Sequence, residues 1–116
     1  VGPSSILLAL MASGLNGQSF AFNGYLPVKP PERVQAIRRF ERRAHAEGQS
    51  QLFIEAPYRN VKLMEQLLQT LAPETRLTVA MDITAPGEFI RTLRVREWRA
   101  AELPAMNKRP AIFIIG

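Results

Sequence analysis

Apolar residues change their spacing several times along this chain, and each change marks an element. Ile6-Leu7-Leu8-Ala9-Leu10-Met11-Ala12 is an unbroken apolar run that follows Pro3, Ser4 and Ser5 and stops before Gly14. Proline suits the first turn of a helix, where an N–H has no partner anyway, and glycine suits the left-handed position past its end. The run therefore predicts a buried helix over 3–13. From Gln18 to Tyr25 the pattern shortens to Ser-Phe-Ala-Phe, a strand, and Asn23-Gly24 marks where it must bend. Pro27, Pro30 and Pro31 make an extended connection, and Pro31-Glu32 opens a helix to about Glu47, with Val34, Ile37, Phe40 or Glu41, and Ala44 at helical spacing. Gly48 ends it.

Gln51-Leu52-Phe53-Ile54-Glu55 reads as a strand that stops at Pro57, and Val61, Met64, Leu67, Leu68 and Leu71 share one face of a helix over 61–71. Residues 76–83 and 88–95 alternate as strands across Thr84-Ala85-Pro86-Gly87, which predicts an antiparallel pair. A short helix follows over 96–102. Ala111-Ile112-Phe113-Ile114-Ile115 is apolar without alternation, as in a strand buried on both faces. Helices interleaved with strands in this order predict one α/β domain over 1–116, an αβα-type sandwich with a mixed sheet of about five strands.

Composition narrows the function. No cysteine is present, which excludes disulfides, thiolate metal sites and cysteine nucleophiles. No run approaches the roughly 18 apolar residues of a membrane span, and the expected setting is the cytoplasm. The net charge of +5 favours anionic partners. It comes from two groups, Arg33, Arg38, Arg39, Arg42 and Arg43 on one helix, and Arg91, Arg94, Arg96 and Arg99 near another, both interleaved with glutamates and read first as solvated faces. The single histidine, His45, lies on the charged helix and is no candidate for catalysis; no phosphate loop, dinucleotide fingerprint or serine-hydrolase elbow occurs. Because the chain opens on Val1-Gly2 and stops at Gly116 directly after a strand, it reads as a segment of a longer protein.

Candidate chemistry is confined to strand ends, where α/β folds present ligands. Glu55 closes one strand and Arg59 lies four residues on across Pro57, an arrangement that also suits a simple ion pair. Asp82 and Thr84 close another, with Glu88 and Arg91 beyond the turn, and Arg109-Pro110-Ala111 leads into the last.

The order of these segments resembles the carboxyl-terminal half of the tetrapyrrole (corrin/porphyrin) methylase superfamily. The resemblance rests on Val1-Gly2-Pro3-Ser4-Ser5 before the first helix, Phe22-Asn23-Gly24-Tyr25-Leu26-Pro27, Phe53-Ile54-Glu55-Ala56-Pro57-Tyr58-Arg59, and Asp82 through Arg91. The second and third of these are similar to the branch that methylates small-subunit ribosomal RNA. Such a resemblance implies a two-domain enzyme that binds S-adenosyl-L-methionine between its lobes, with this chain as the C-terminal lobe, the N-terminal lobe as its partner, and a homodimer as the assembly. It places cofactor contacts on Ile54, Glu55, Ala56, Asp82, Ile83, Pro110 and Ala111, and substrate contacts on Ser4, Ser5, Asn23, Tyr25, Arg59, Glu88 and Arg91. It implies no metal, assigns no general base, and leaves the lobe alone inactive. In the ribosomal RNA reading the acceptor is a cytidine ribose 2′-hydroxyl; the alternatives are a lobe acting on a corrin or porphyrin precursor and, from another class, a non-catalytic basic domain that binds RNA or protein.

Overall fold

In the computed structural model the backbone is described from Pro3 and the side chains from Ile6. The elements are α1 (Pro3–Ser13), β1 (Phe20–Tyr25), α2 (Pro30–Glu47), β2 (Ser50–Ile54), a single 3-10 turn at Pro57–Arg59, α3 (Asn60–Thr70), β3 (Arg76–Met81), β4 (Phe89–Arg94), α4 (Val95–Ala100) and β5 (Ala111–Ile115). They follow the order that the apolar pattern predicts. The five strands form one sheet in the order β1-β2-β5-β3-β4, in which β1 and β2 are parallel and every other pairing is antiparallel.

β5 occupies the middle, and all five of its residues are buried. Alternate side chains serve opposite layers, as a period of two requires. Ala111, Phe113 and Ile115 join the core beneath α2, α3 and α4, whereas Ile112 and Ile114 join a smaller core beneath α1. Phe113 stacks on Phe53 at 5.8 Å between ring centres, and Phe53 on Phe40 of α2 at 6.0 Å. Trp98 of α4 is buried with its indole N–H donating to the Leu77 carbonyl at 2.8 Å, the pairing that a buried indole requires.

Two expectations need correction. The first helix is not buried all round: Ala9 and Leu10 face the sheet, but Leu7, Leu8 and Met11 are 48%, 39% and 78% exposed. A helix apolar on every side has only one side to offer one sheet. Secondly, the inward stripe of α2 is Arg33, Ala36, Ile37, Phe40 and Ala44, with Val34 only half-buried, so Arg33 is a core-facing residue and not part of a solvated face. Arg91, Arg94, Arg96 and Arg99 are all exposed, as a solvated face requires, and three of them also make surface contacts. Arg94 and Arg96 both pair with Glu74, and Arg99 donates to the Leu68 and Leu71 carbonyls at 2.7 and 3.1 Å, closing the C-terminal end of α3. Arg38, Arg39 and Arg42 remain exposed.

Asn23-Gly24 does bend the edge strand. Pairing of β1 with β2 slips between Phe22 and Tyr25, and Gly24 takes φ of 68°, a conformation that glycine adopts without steric cost.

Candidate functional site

One end of the sheet gathers the C-terminal ends of β1, β2 and β3 and the N-terminal ends of β4 and β5, because Tyr25 pairs with Ile54, Ile54 with Ile112, Met81 with Ala111 and Phe89 with Met81. A cavity of about 450 Å³ opens there. Its walls are Ile54, Glu55 and Pro57 from the end of β2, Asp82, Ile83 and Ala85 from the β3–β4 loop, and Pro110, Ala111 and Ile112 from β5, with Tyr25 at the edge and Ala80 on the floor. Of the seven residues that the resemblance assigns to a cofactor, Ile54, Glu55, Asp82, Ile83, Pro110 and Ala111 are brought together around this cavity, and Ala56 follows directly on its wall.

The two carboxylates of the wall are already engaged. Glu55 is buried; one oxygen accepts from Arg33 at 3.1 Å, and the other accepts from the Ala56 N–H at 2.7 Å and from Arg59 at 3.4 Å. Arg33 further donates to the Pro27 carbonyl and to Gln66. A fully partnered buried carboxylate sets the shape of the turn more than it offers a charge to a ligand. Asp82 accepts from Arg109 at 2.7 Å, with a backbone φ of 50° that is left-handed for a residue with a side chain. Thr84 and Lys108 share that conformation, at 64° and 61°. Strained backbone of this kind collects at ligand sites. Two features of the site escaped the sequence reading, Arg33 as the main partner of Glu55 and Arg109 as that of Asp82. The helical spacing of Arg33 to Ala36, Ile37 and Phe40 is the signal for the first; for the second the sequence carries none, the pair lying 27 positions apart.

The residues expected to meet a substrate do not converge. Asn23 and Tyr25 lie on β1 and Glu88 and Arg91 at or beside β4, the opposite edges of a five-stranded sheet, roughly 19 Å apart at the usual strand spacing. Arg91 pairs with Val79 and so projects toward the α2–α4 face. Asn23 Nδ2 donates to Gln51 at 3.0 Å, and Glu88 accepts from the Thr84 N–H at 2.7 Å. Tyr25 is 66% exposed. Arg59, its guanidinium 4.6 Å from the centre of the Tyr58 ring, opens onto a separate groove of about 540 Å³ that also involves Arg33, Lys62 and Gln66. The side chains of Ser4 and Ser5 lie outside the described residues. Among the described residues no group of His, Cys, Asp and Glu is placed to hold a metal ion, and no helix is long and apolar enough to cross a membrane.

The fold is shared with solved methyltransferase structures. The chain superposes on the methyltransferase CobJ with a TM-score of 0.59 at 21% identity, over 95% of this chain and 46% of that one. On the cobalt precorrin-4 methyltransferase CbiF the score is 0.58 at 16% identity, over 97% and 48%. In sequence it is similar to ribosomal RNA small subunit methyltransferase I from several bacteria. Identity is 31% over 107 residues with the Mesorhizobium japonicum protein, covering 89% of this chain and 35% of that one. With the Vibrio cholerae protein it is 29% over 96 residues, covering 83% and 32%, and with the Escherichia coli O157:H7 protein 27% over 114 residues, covering 98% and 38%. The chain spans about a third of the length of these relatives. No protein-family model matches it. The resemblance read from the motifs is thus borne out by both fold and sequence relatives.

Proposed function

We propose that this chain is the C-terminal lobe of an S-adenosyl-L-methionine-dependent methyltransferase acting on the ribose 2′-hydroxyl of a cytidine in small-subunit ribosomal RNA. The observation that carries the reading is the strand-end cavity, in which the segments around Ile54, Asp82 and Pro110 converge. Its size falls in the range of small-molecule sites, and its lining is mainly apolar with few polar groups. Those properties suit a nucleoside, which needs flat walls and a few fixed donors and acceptors. The relatives bearing the ribosomal RNA small subunit methyltransferase name support ribosomal RNA as the substrate class.

When bound, the sulfonium cofactor supplies an electrophilic methyl group. Around it, residues 54–56, 82–83 and 110–111 form the wall for the nucleoside, mostly through main chain and apolar side chains. Tyr25 borders that wall from the β1 side, and Arg59, on the turn after β2, lines the neighbouring groove. A guanidinium is suited to hold two oxygens of a sugar-phosphate backbone at once. Transfer to a hydroxyl depends chiefly on alignment of acceptor and leaving group, so fixing the ribose is the main task of such residues. The exposed Arg38, Arg39 and Arg42 add long-range attraction for a polyanion.

The other lobe would close the cavity from the opposite side, a homodimer would be the assembly, and the cytoplasm the setting. The deciding experiment is methyl transfer by the full-length protein to small ribosomal subunits and, separately, to uroporphyrinogen-type substrates. Incorporation into the RNA at a cytidine ribose is expected. Incorporation into the tetrapyrrole alone would transfer the reading to a corrin or porphyrin precursor, and none into either would favour a binding domain.

A further inference from the structure

The three segments that wall the strand-end cavity are tied together by one residue, Arg109. Its Nε donates to Asp82 Oδ2 at 2.7 Å, its Nη2 to the Gly87 carbonyl at 2.6 Å and its Nη1 to the Ala105 carbonyl at 2.6 Å. Its own carbonyl accepts from Asn60 Nδ2 at 2.6 Å. Asn60 is fully buried where the turn after β2 enters α3, and the Lys108 N–H donates to the Pro57 carbonyl in the same region. One guanidinium thus spans the β3–β4 loop and the approach to β5, while its main chain anchors both to the end of β2.

The loop held in this way is not one that relaxes into its shape unaided. Asp82 and Thr84 have left-handed φ angles of 50° and 64°, and Gly87 one of 87°. Local bonds shape it, from the Ala85 N–H to the Asp82 carbonyl and from the Thr84 N–H to Glu88. Strained conformations of non-glycine residues persist only where surrounding contacts over-determine them, and Arg109 supplies such contacts from outside the loop. It does so from three separate nitrogens held at fixed spacing in one plane, a geometry that the single nitrogen of an ammonium does not provide.

We propose that Arg109 is a positioning residue for the nucleoside site: it holds residues 82–88 in the ligand-ready shape before a ligand arrives. The inference rests on the reading of the cavity as the S-adenosyl-L-methionine site. Without Arg109 the loop samples other conformations, and apparent affinity falls in proportion to the fraction of molecules that remain competent.

The test uses the full-length protein, unsubstituted and as Arg109→Ala and Arg109→Lys, titrated calorimetrically with S-adenosylhomocysteine. Amide hydrogen exchange of residues 82–88 is measured on the same samples without ligand. Arg109→Ala is expected to weaken binding on the order of tenfold, as when a tenth of the molecules keep a competent loop, and to speed exchange in 82–88 while β2 and β5 stay protected. Arg109→Lys should recover only part of the affinity. Unchanged affinity or unchanged loop exchange in Arg109→Ala overturns the proposal. Should that variant fail to fold, Arg109→Lys with affinity and exchange equal to the unsubstituted protein overturns it just as well. An unsubstituted protein that does not bind S-adenosylhomocysteine at all refutes the cofactor reading instead, and loop exchange that is faster or unchanged in Arg109→Ala then decides by itself whether Arg109 holds the loop.

Discussion

Arg33 on α2 and Glu55 at the end of β2 meet at 3.1 Å with 5% and 1% of their side chains exposed. Twenty-two residues apart in sequence, they join helix to sheet beside the cavity. The carboxylate also holds Arg59, at 3.4 Å, but that guanidinium is 31% exposed. The two arginines therefore divide the work, with the buried one setting the turn and the outer one left open to a groove.

Removing one member of a buried pair leaves the other charge uncompensated, at a cost of about 3–5 kcal/mol. Arg33→Met is expected to destabilise the protein by about 3 kcal/mol, the low end, because Glu55 keeps Arg59 and the Ala56 N–H. Glu55→Gln is expected to cost more, since the Arg33 charge stays buried. Denaturant titration checks both: the midpoint should fall with the slope unchanged.

Arg59→Ala in the full-length protein should behave differently. A partly exposed ion pair contributes about 1 kcal/mol or less, so the melting temperature should shift little. Methylation of small ribosomal subunits should drop on the order of tenfold to a hundredfold through misplacement of the acceptor, with cofactor affinity retained. Arg59→Lys should restore only part of it. Turnover and unfolding are measured on the same samples, and full activity combined with a melting point several degrees lower would assign Arg59 to the turn alone.

With cores on both faces of the five-stranded sheet, the 116 residues are expected to fold independently. A single cooperative thermal transition is expected, and a disordered spectrum without one would contradict it. Calorimetry on the same domain should show S-adenosyl-L-methionine binding far weaker than in the full-length protein, because one wall of a cleft buries only part of a ligand.

Trp98→Phe removes the donor to the Leu77 carbonyl and leaves space behind it. A loss of about 2 kcal/mol is expected from the unpaired acceptor, with activity unchanged once the protein is folded. Chemical denaturation and methyl-transfer assays on the variant provide the measure.

Element order was legible because apolar periodicity is a local signal: β5 carries the same bounds in sequence and structure, and the antiparallel pairing of β3 and β4 follows from the turn between them. The strand ends that converge on the cavity were reachable through the motifs around Glu55, Asp82 and Pro110. What was not legible is pairing at long range. Arg33 and Arg99 look like members of charged helix faces, yet one is buried against Glu55 and the other closes α3. Nor does the pattern of a single strand tell which edge it takes, and for that reason Asn23 and Arg91 belong to one expected site but to opposite margins of the sheet.

The strand at the centre of the sheet is also the one that follows all the others in sequence. Until residues 111–115 are in place, β1–β2 and β3–β4 are two separate ribbons with no hydrogen-bonded link between them. Each ribbon then exposes a bare edge and the apolar faces that Phe113 and Ile114 would cover, the kind of surface on which unfinished chains associate with one another. Assembly of the sheet is therefore a late and nonlocal event, slowed by the loop closures it must complete. Loss of residues 111–115 would not trim this domain but would leave the two ribbons of its sheet unpaired with each other, exposed to aggregation and proteolysis.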